Sequence, residues 1–276
     1  MDIKTLLVRT LSGAVYVALI VCAILINNFI FAAVFSIICV LTTYEFHRLT
    51  NKLENVDTMT WTGVLASFLF CAIFSLSYTK FAYVGDLYIM LPLLISYILL
   101  VFLVLIVEIF RGKTNPVNNI AYFIFGQIGI VLPFAFLLLI KLGLRTSIYL
   151  LALFVIIWVN DTFAYLVGSA FGKHKLIERI SPKKSWEGFF GGLVGALIAG
   201  FIFSKFETNL NLIKWLFFAL IITVFGTFGD LLESLIKRTV GVKDSGNIMP
   251  GHGGFLDRLD SVLFAAPAAF IFLFLN

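Results

Sequence analysis

Charged residues make up only 13% of this 276-residue chain, about half the share usual in a soluble globular domain, and a solvated globular fold is excluded on that ground. Histidine is almost absent, with three scattered copies. The three cysteines, Cys22, Cys39 and Cys71, show neither metal-ligand spacing nor a pairing pattern. Zinc sites and disulfide scaffolds are excluded with them. There is no internal repeat, no low-complexity tract and no Pro- or Ser-rich linker. What fills the chain is apolar: 61% hydrophobic residues, 31 of them Phe, and a mean hydropathy of +1.06.

Repeated apolar runs of about 20 residues match helices that cross a hydrocarbon core roughly 30 Å thick. They predict an all-α integral membrane protein, a polytopic bundle of about nine transmembrane helices. The spans fall near 11–26, 29–45, 59–77, 87–107, 120–140, 148–168, 187–204, 212–232 and 259–275. Lys4 and Arg9 precede the first run, but no small-residue cleavage site follows it, which predicts an uncleaved helix. With nine spans, fifteen of the 20 Lys and Arg lie on the side of the N-terminus. The N-terminus and the even-to-odd loops are therefore expected in the cytoplasm. The net charge of +5 is mostly this bias and gives no ground for nucleic-acid binding.

The two halves differ in kind. Residues 1–115 hold about four spans and ordinary loops; segment 45–58 mixes charge signs and reads as a solvated helix end, with His47 at the interface. Residues 116–276 hold about five spans and most of the oddly placed polar groups, which makes them the expected catalytic region, its site facing the cytoplasm. Gly188 with Gly192, and Gly191 with Gly195, fit the small-xxx-small spacing of close helix packing.

Three polar clusters carry candidate chemistry. In W-V-N-D-T-F-A-Y, Asn160 and Asp161 lie inside an apolar span, where a carboxylate is expensive and usually faces a partner or a wet cavity. In S-P-K-K-S-W-E-G, Lys183 and Lys184 directly precede a helix start, so ammonium groups and free backbone amides meet there, as a phosphate ligand requires. The third cluster runs from Thr227 to Ser261 and contains M-P-G-H-G-G-F-L-D-R-L-D-S. Asp230, Glu233 and Lys237 share one helix face, as do Asp257 and Asp260 at the start of the last span. Two aligned carboxylates and a third from a neighbouring helix make an oxygen-rich site for a hard divalent cation; Mg²⁺ suits it, because that ion completes its shell with waters and phosphates. Lys237, Arg238, Lys243 and Arg258 bring positive charge, and Gly251, Gly253 and Gly254 allow a turn that aims amides at an anion.

The run S-L-I-K-R-T-V-G-V-K-D-S-G-N-I-M-P-G-H-G-G-F-L-D-R-L-D resembles the signature of the phosphatidate cytidylyltransferases, or CDP-diacylglycerol synthases. Met249 stands where the family usually has Leu, Ile or Phe. N-D-T-F-A-Y-L-V-G-S-A-F-G-K and S-P-K-K-S-W-E-G also resemble family segments, so the motifs cover about residues 158–261. The resemblance implies a Mg²⁺-dependent reaction of CTP with phosphatidic acid, giving CDP-diacylglycerol and pyrophosphate. It implies Asp230, Asp257 and Asp260 as metal ligands, with Asp161 and Asp244 beside them. Lys237, Arg238, Lys243 and Arg258 would bind phosphates of CTP and phosphatidate. Lys183 and Lys184 would hold a triphosphate end or the lipid headgroup, and His252, with Gly253 and Gly254, would donate to a phosphate or brace the turn. A second, monovalent cation and a homodimer are left open, and a bacterial inner membrane is the expected location. Two alternatives fit parts of the pattern: a CTP-dependent membrane lipid or prenol kinase, and a cation-coupled transporter using Asp161 and Asp230. The transporter would need matching broken helices in two halves, and none are present.

Overall fold

The computed structural model describes residues 3–80, 87–143, 147–249, 251 and 253–276. The described residues form nine helices: α1 (Ile3–Ile26), α2 (Asn28–Thr50), α3 (Thr60–Lys80), α4 (Leu87–Phe110), α5 (Pro116–Gly143), α6 (Ile148–Phe171), α7 (Trp186–Phe206), α8 (Leu212–Val240) and α9 (Leu256–Phe274). Seven of them are long and apolar enough to cross a membrane. The described apolar part of α3, Thr60–Ser75, is shorter, and α9 carries Asp257, Arg258 and Asp260 in its first turns. The chain is an all-α polytopic membrane protein. Its only named strands among the described residues form a two-stranded hairpin, β1 (Lys175–Ile177) and β2 (Ser181–Ser185).

The chain divides into two compact units, Met1–Arg145 with Val240–Arg258, and Thr146–Thr239 with Leu259–Asn276. In the first, α2 is the central helix: Phe31, Phe35, Ile38, Cys39, Phe46 and Leu49 are all buried. So are Glu45 and His47, which corrects the expectation of a solvated helix end. His47 sits where Gly63 of α3 and Gly126 of α5 lack side chains, and its Nδ1 is 3.1 Å from Thr58 Oγ1. Gly126 opens a π-helical stretch, Gly126–Val131, and a ring pressed against that stretch accords with the local widening of the helix.

A polar clasp closes the connection between α2 and α3. Glu108, 2% exposed, accepts a 2.5 Å hydrogen bond from Asn119 Nδ2 and pairs with Arg111 at 2.7 Å. Arg111 also donates to the Asp57 carbonyl, and Asn119 Oδ1 accepts from the Asp57 amide. A hydrogen bond from Lys113, opposed by burial and joined by Arg111, holds the Asp57 carboxyl below the usual carboxylate range. That stabilisation is complete above the ordinary carboxylate pKa and fades as pH falls through the lowered one. Glu108→Ala strands the Asn119 amide and leaves Arg111 with Asp57 alone, so the thermal midpoint in detergent should drop by the equivalent of about 2 kcal/mol. An unchanged midpoint would show the clasp to be idle.

In the second unit the glycines act as the sequence suggests. A Cβ on Gly188 would meet the Ala164 carbonyl at 2.9 Å, one on Gly192 the Asn160 carbonyl at 2.9 Å, and one on Gly195 the Phe163 ring at 2.7 Å. Gly191 lies against Val167 in the same way. Without side chains at these four positions α7 presses directly onto α6, and Asn160 and Asp161 are thereby fixed beside the start of α7.

Candidate active site

The site is built from short local devices. Ser185 has an extended backbone and its hydroxyl accepts from the Gly188 amide at 3.1 Å, capping α7. Glu187, in the first turn, accepts from the amides of Lys173 and His174 at 3.2 Å and meets His174 Nδ1 at 2.6 Å. The turn leaving α6 is thus clamped to α7, and β2 is held between them with Lys183 and Lys184 on it. Gly229 of α8 has its Cα against the Asp260 carbonyl of α9, so the two helices approach closely where Asp230 and Asp260 sit.

These elements enclose a cavity of about 240 Å³ in the second unit. Asn160 and Asp161 of α6, Lys183 and Lys184 of β2, and Thr227 and Asp230 of α8 line it, with Ser185, Gly188 and Ser261 at its wall. Lys184 Nζ forms an ion pair with Asp230 Oδ2, and Ser234 Oγ donates to Asp230 Oδ1 at 3.2 Å. Asp260 Oδ1 accepts from the Ser261 amide at 2.6 Å, and the charged groups acting on it are Asp230, Asp161 and Lys184. Asp161, Asp230, Lys183 and Lys184 are therefore brought together, and Asp260 directly precedes the lining residue Ser261.

A model of the cytidylyltransferase family matches residues 7–276. The chain belongs to that family. It is 49% identical over 126 residues to the phosphatidate cytidylyltransferase of Staphylococcus haemolyticus, and 51% identical over 126 residues to that of Staphylococcus aureus strain COL. Each alignment covers 45% of this chain and 48% of the relative, so the chain spans about half the length of the curated relatives it matches.

The remaining signature residues of this family member lie elsewhere. Lys237 is paired at 2.5 Å with Glu233, which is 4% exposed, and Arg238 is exposed with Nε 3.4 Å from the Ile180 carbonyl. In the first unit, Asp257 accepts from the Ser245 amide and hydroxyl, each at 2.9 Å, and from the Gly254 amide at 2.8 Å. Its carboxylate braces the signature loop. Gly253, at φ +84°, returns its carbonyl to the Met249 amide at 2.8 Å. Lys243 and Asp244 are exposed, as is Arg258, whose carbonyl accepts from Tyr16 at 3.3 Å. His252 lies outside the described residues.

One residue of this neighbourhood is absent from the candidates drawn from sequence. Glu45 of α2, 3% exposed, accepts from the Leu256 amide at 2.9 Å, at the N-terminus of α9. Its carboxylate lies against Gly246 and Gly254, where a Cβ would collide with it. The sequence did hold a signal: Glu45 falls three or four residues from Thr42 and Leu49 on the stripe that carries Phe31, Phe35 and Ile38.

Proposed function

We propose that the protein transfers the cytidylyl group of CTP to phosphatidic acid, giving CDP-diacylglycerol and pyrophosphate. The observation that carries this reading is the cavity in which Asp161, Asp230, Lys183 and Lys184 converge, with Ser261, next to Asp260, at its wall. Membership of the cytidylyltransferase family and the names of the Staphylococcus relatives support it.

The donor set fits magnesium. It contains carboxylate oxygen and no sulfur or imidazole, and among the described residues no three acidic, His or Cys side chains close a cage by themselves. Mg²⁺ binds in this manner, through one or two carboxylates with waters and substrate phosphates completing the octahedron. Asp230, Asp260 and Asp161 would hold it, and when bound it would neutralise charge on the phosphates.

The lipid phosphate monoester, with a second pKa near 6, is already largely a dianion near pH 7. One of its oxygens attacks the α-phosphorus of CTP; a new P–O bond forms, the bond to the β-phosphate breaks, and pyrophosphate leaves with the electron pair. No proton has to be removed, which accords with a cavity lined by acids and lysines. The chain's task is positioning and charge neutralisation. Lys183 and Lys184 would bind the triphosphate or the lipid headgroup, and Lys237 and Arg238, on the same helix as Asp230, would add positive charge within that unit. Asp257 would fix the signature loop through Ser245 and Gly254. The Lys and Arg bias supports a mouth facing the cytoplasm, where CTP would arrive from solution and phosphatidate from the bilayer.

Purified protein in detergent, given labelled CTP, Mg²⁺ and phosphatidate, should release CDP-diacylglycerol and pyrophosphate in equal amounts. CDP released with a pyrophosphorylated lipid would identify a kinase instead. Folded protein yielding neither product would refute both.

A further inference from the structure

The acid best placed to take a divalent cation already holds a cation of the protein's own. Lys184 and Asp230 are directly paired, with side chains 27% and 31% exposed. The backbone of Lys184 is fixed by three neighbours. Strand β2 pairs with β1, Ser185 caps α7, and Glu187 clamps the amides of Lys173 and His174. The ammonium, by contrast, rides on a flexible four-carbon stem and can change partner while the strand stays in place.

We propose that Lys184 is a resident counter-ion that occupies Asp230 before substrate arrives and transfers to a nucleotide phosphate when a divalent cation takes that carboxylate. The inference rests on the metal reading given under Proposed function. Charge drives the exchange. A divalent cation and an ammonium at one carboxylate repel strongly where the dielectric is reduced. An incoming triphosphate offers the displaced ammonium a charge-assisted partner within the same cavity. In both states Asp230 is neutralised, so the cavity never holds that carboxylate without a cation beside it. Lys183 lines the same cavity and serves as the internal comparison: it would bind phosphate without competing at Asp230.

Competition of this kind has a signature that a simple phosphate-binding lysine lacks. Removing the charge should strengthen metal binding in the absence of nucleotide. Full-length detergent-purified protein is titrated with Mn²⁺, free ion being counted by electron paramagnetic resonance. Lys184→Met should bind Mn²⁺ about tenfold more tightly than the unaltered protein, a difference of about 1.4 kcal/mol. Lys183→Met should match the unaltered protein. A non-hydrolysable α,β-methylene analogue of CTP should then tighten Mn²⁺ binding in the unaltered protein by a larger factor than in Lys184→Met. Lys184→Gln, which keeps a polar head, should shift affinity in the same direction and covers the case in which the Met variant does not fold. Equal or weaker Mn²⁺ binding in the folded Lys184 variants overturns the exchange. If Asp230→Asn leaves Mn²⁺ uptake untouched, the metal reading itself falls. If uptake depends on Asp230 yet ignores Lys184, only the exchange does.

Discussion

Asp230→Asn and Asp260→Asn are each expected to lower kcat/KM by about 10²–10³-fold or more, the usual loss when one preorganised electrostatic contact to developing charge is removed. The thermal midpoint should barely move. Asn has the size of Asp and keeps an oxygen for the Ser234 hydroxyl or the Ser261 amide, and Lys184, released from Asp230 in the first variant, is exposed enough for its lost pairing to cost little. The close approach of α8 to α9 depends on Gly229, which neither change touches. Loss of activity with intact folding therefore reports on charge alone. Raising Mg²⁺ should recover part of the rate in either variant, because a weakened metal site fills at higher concentration. If both variants work within tenfold of the unaltered protein at ordinary Mg²⁺, the cation sits elsewhere and the carboxylate assignment is wrong.

Hydropathy and local spacing were enough to place the helices, the packing glycines and the capped start of α7, because each depends on residues within a few positions of one another. The hairpin around Lys183 and Lys184 was not expected, although Pro182 and the polar flanks left no helical period there. Partner choice was the harder matter. The i, i+3, i+7 spacing grouped Asp230, Glu233 and Lys237 on one face, and Glu233 with Lys237 did pair. Asp230 instead found Lys184, 46 positions upstream. A helix period identifies neighbours along one helix and is silent about which other helix or strand arrives alongside. His47 and Glu45 were misjudged for the same reason. Their surroundings are polar in sequence, but Gly63, Gly126, Gly246 and Gly254 supply the space that buries them, and all four are distant in the chain.

Glu45→Ala should be among the most damaging single changes in the first unit, destabilising it by about 3–5 kcal/mol, from a lost buried acceptor together with a cavity. Three losses coincide. The amide of Leu256, at the N-terminus of α9, loses its acceptor in a buried setting. The helix loses a negative charge at the end where its dipole favours one. A void opens against Gly246 and Gly254, which pack on the carboxylate. Glu45→Gln keeps the shape and one acceptor oxygen, so it should cost clearly less than the Ala change. The loop that begins α9 also holds Ser245 and Gly254 against Asp257, so activity should fall together with stability in the Ala variant. The two contributions separate on temperature: a rate measured well below the lowered midpoint should recover if Glu45 only stabilises, and should stay depressed if it also sets the geometry of the signature loop. A Glu45→Ala protein that melts at the midpoint of the unaltered one would mean that water or a neighbouring group replaces the carboxylate, and that the helix start needs no acid from α2.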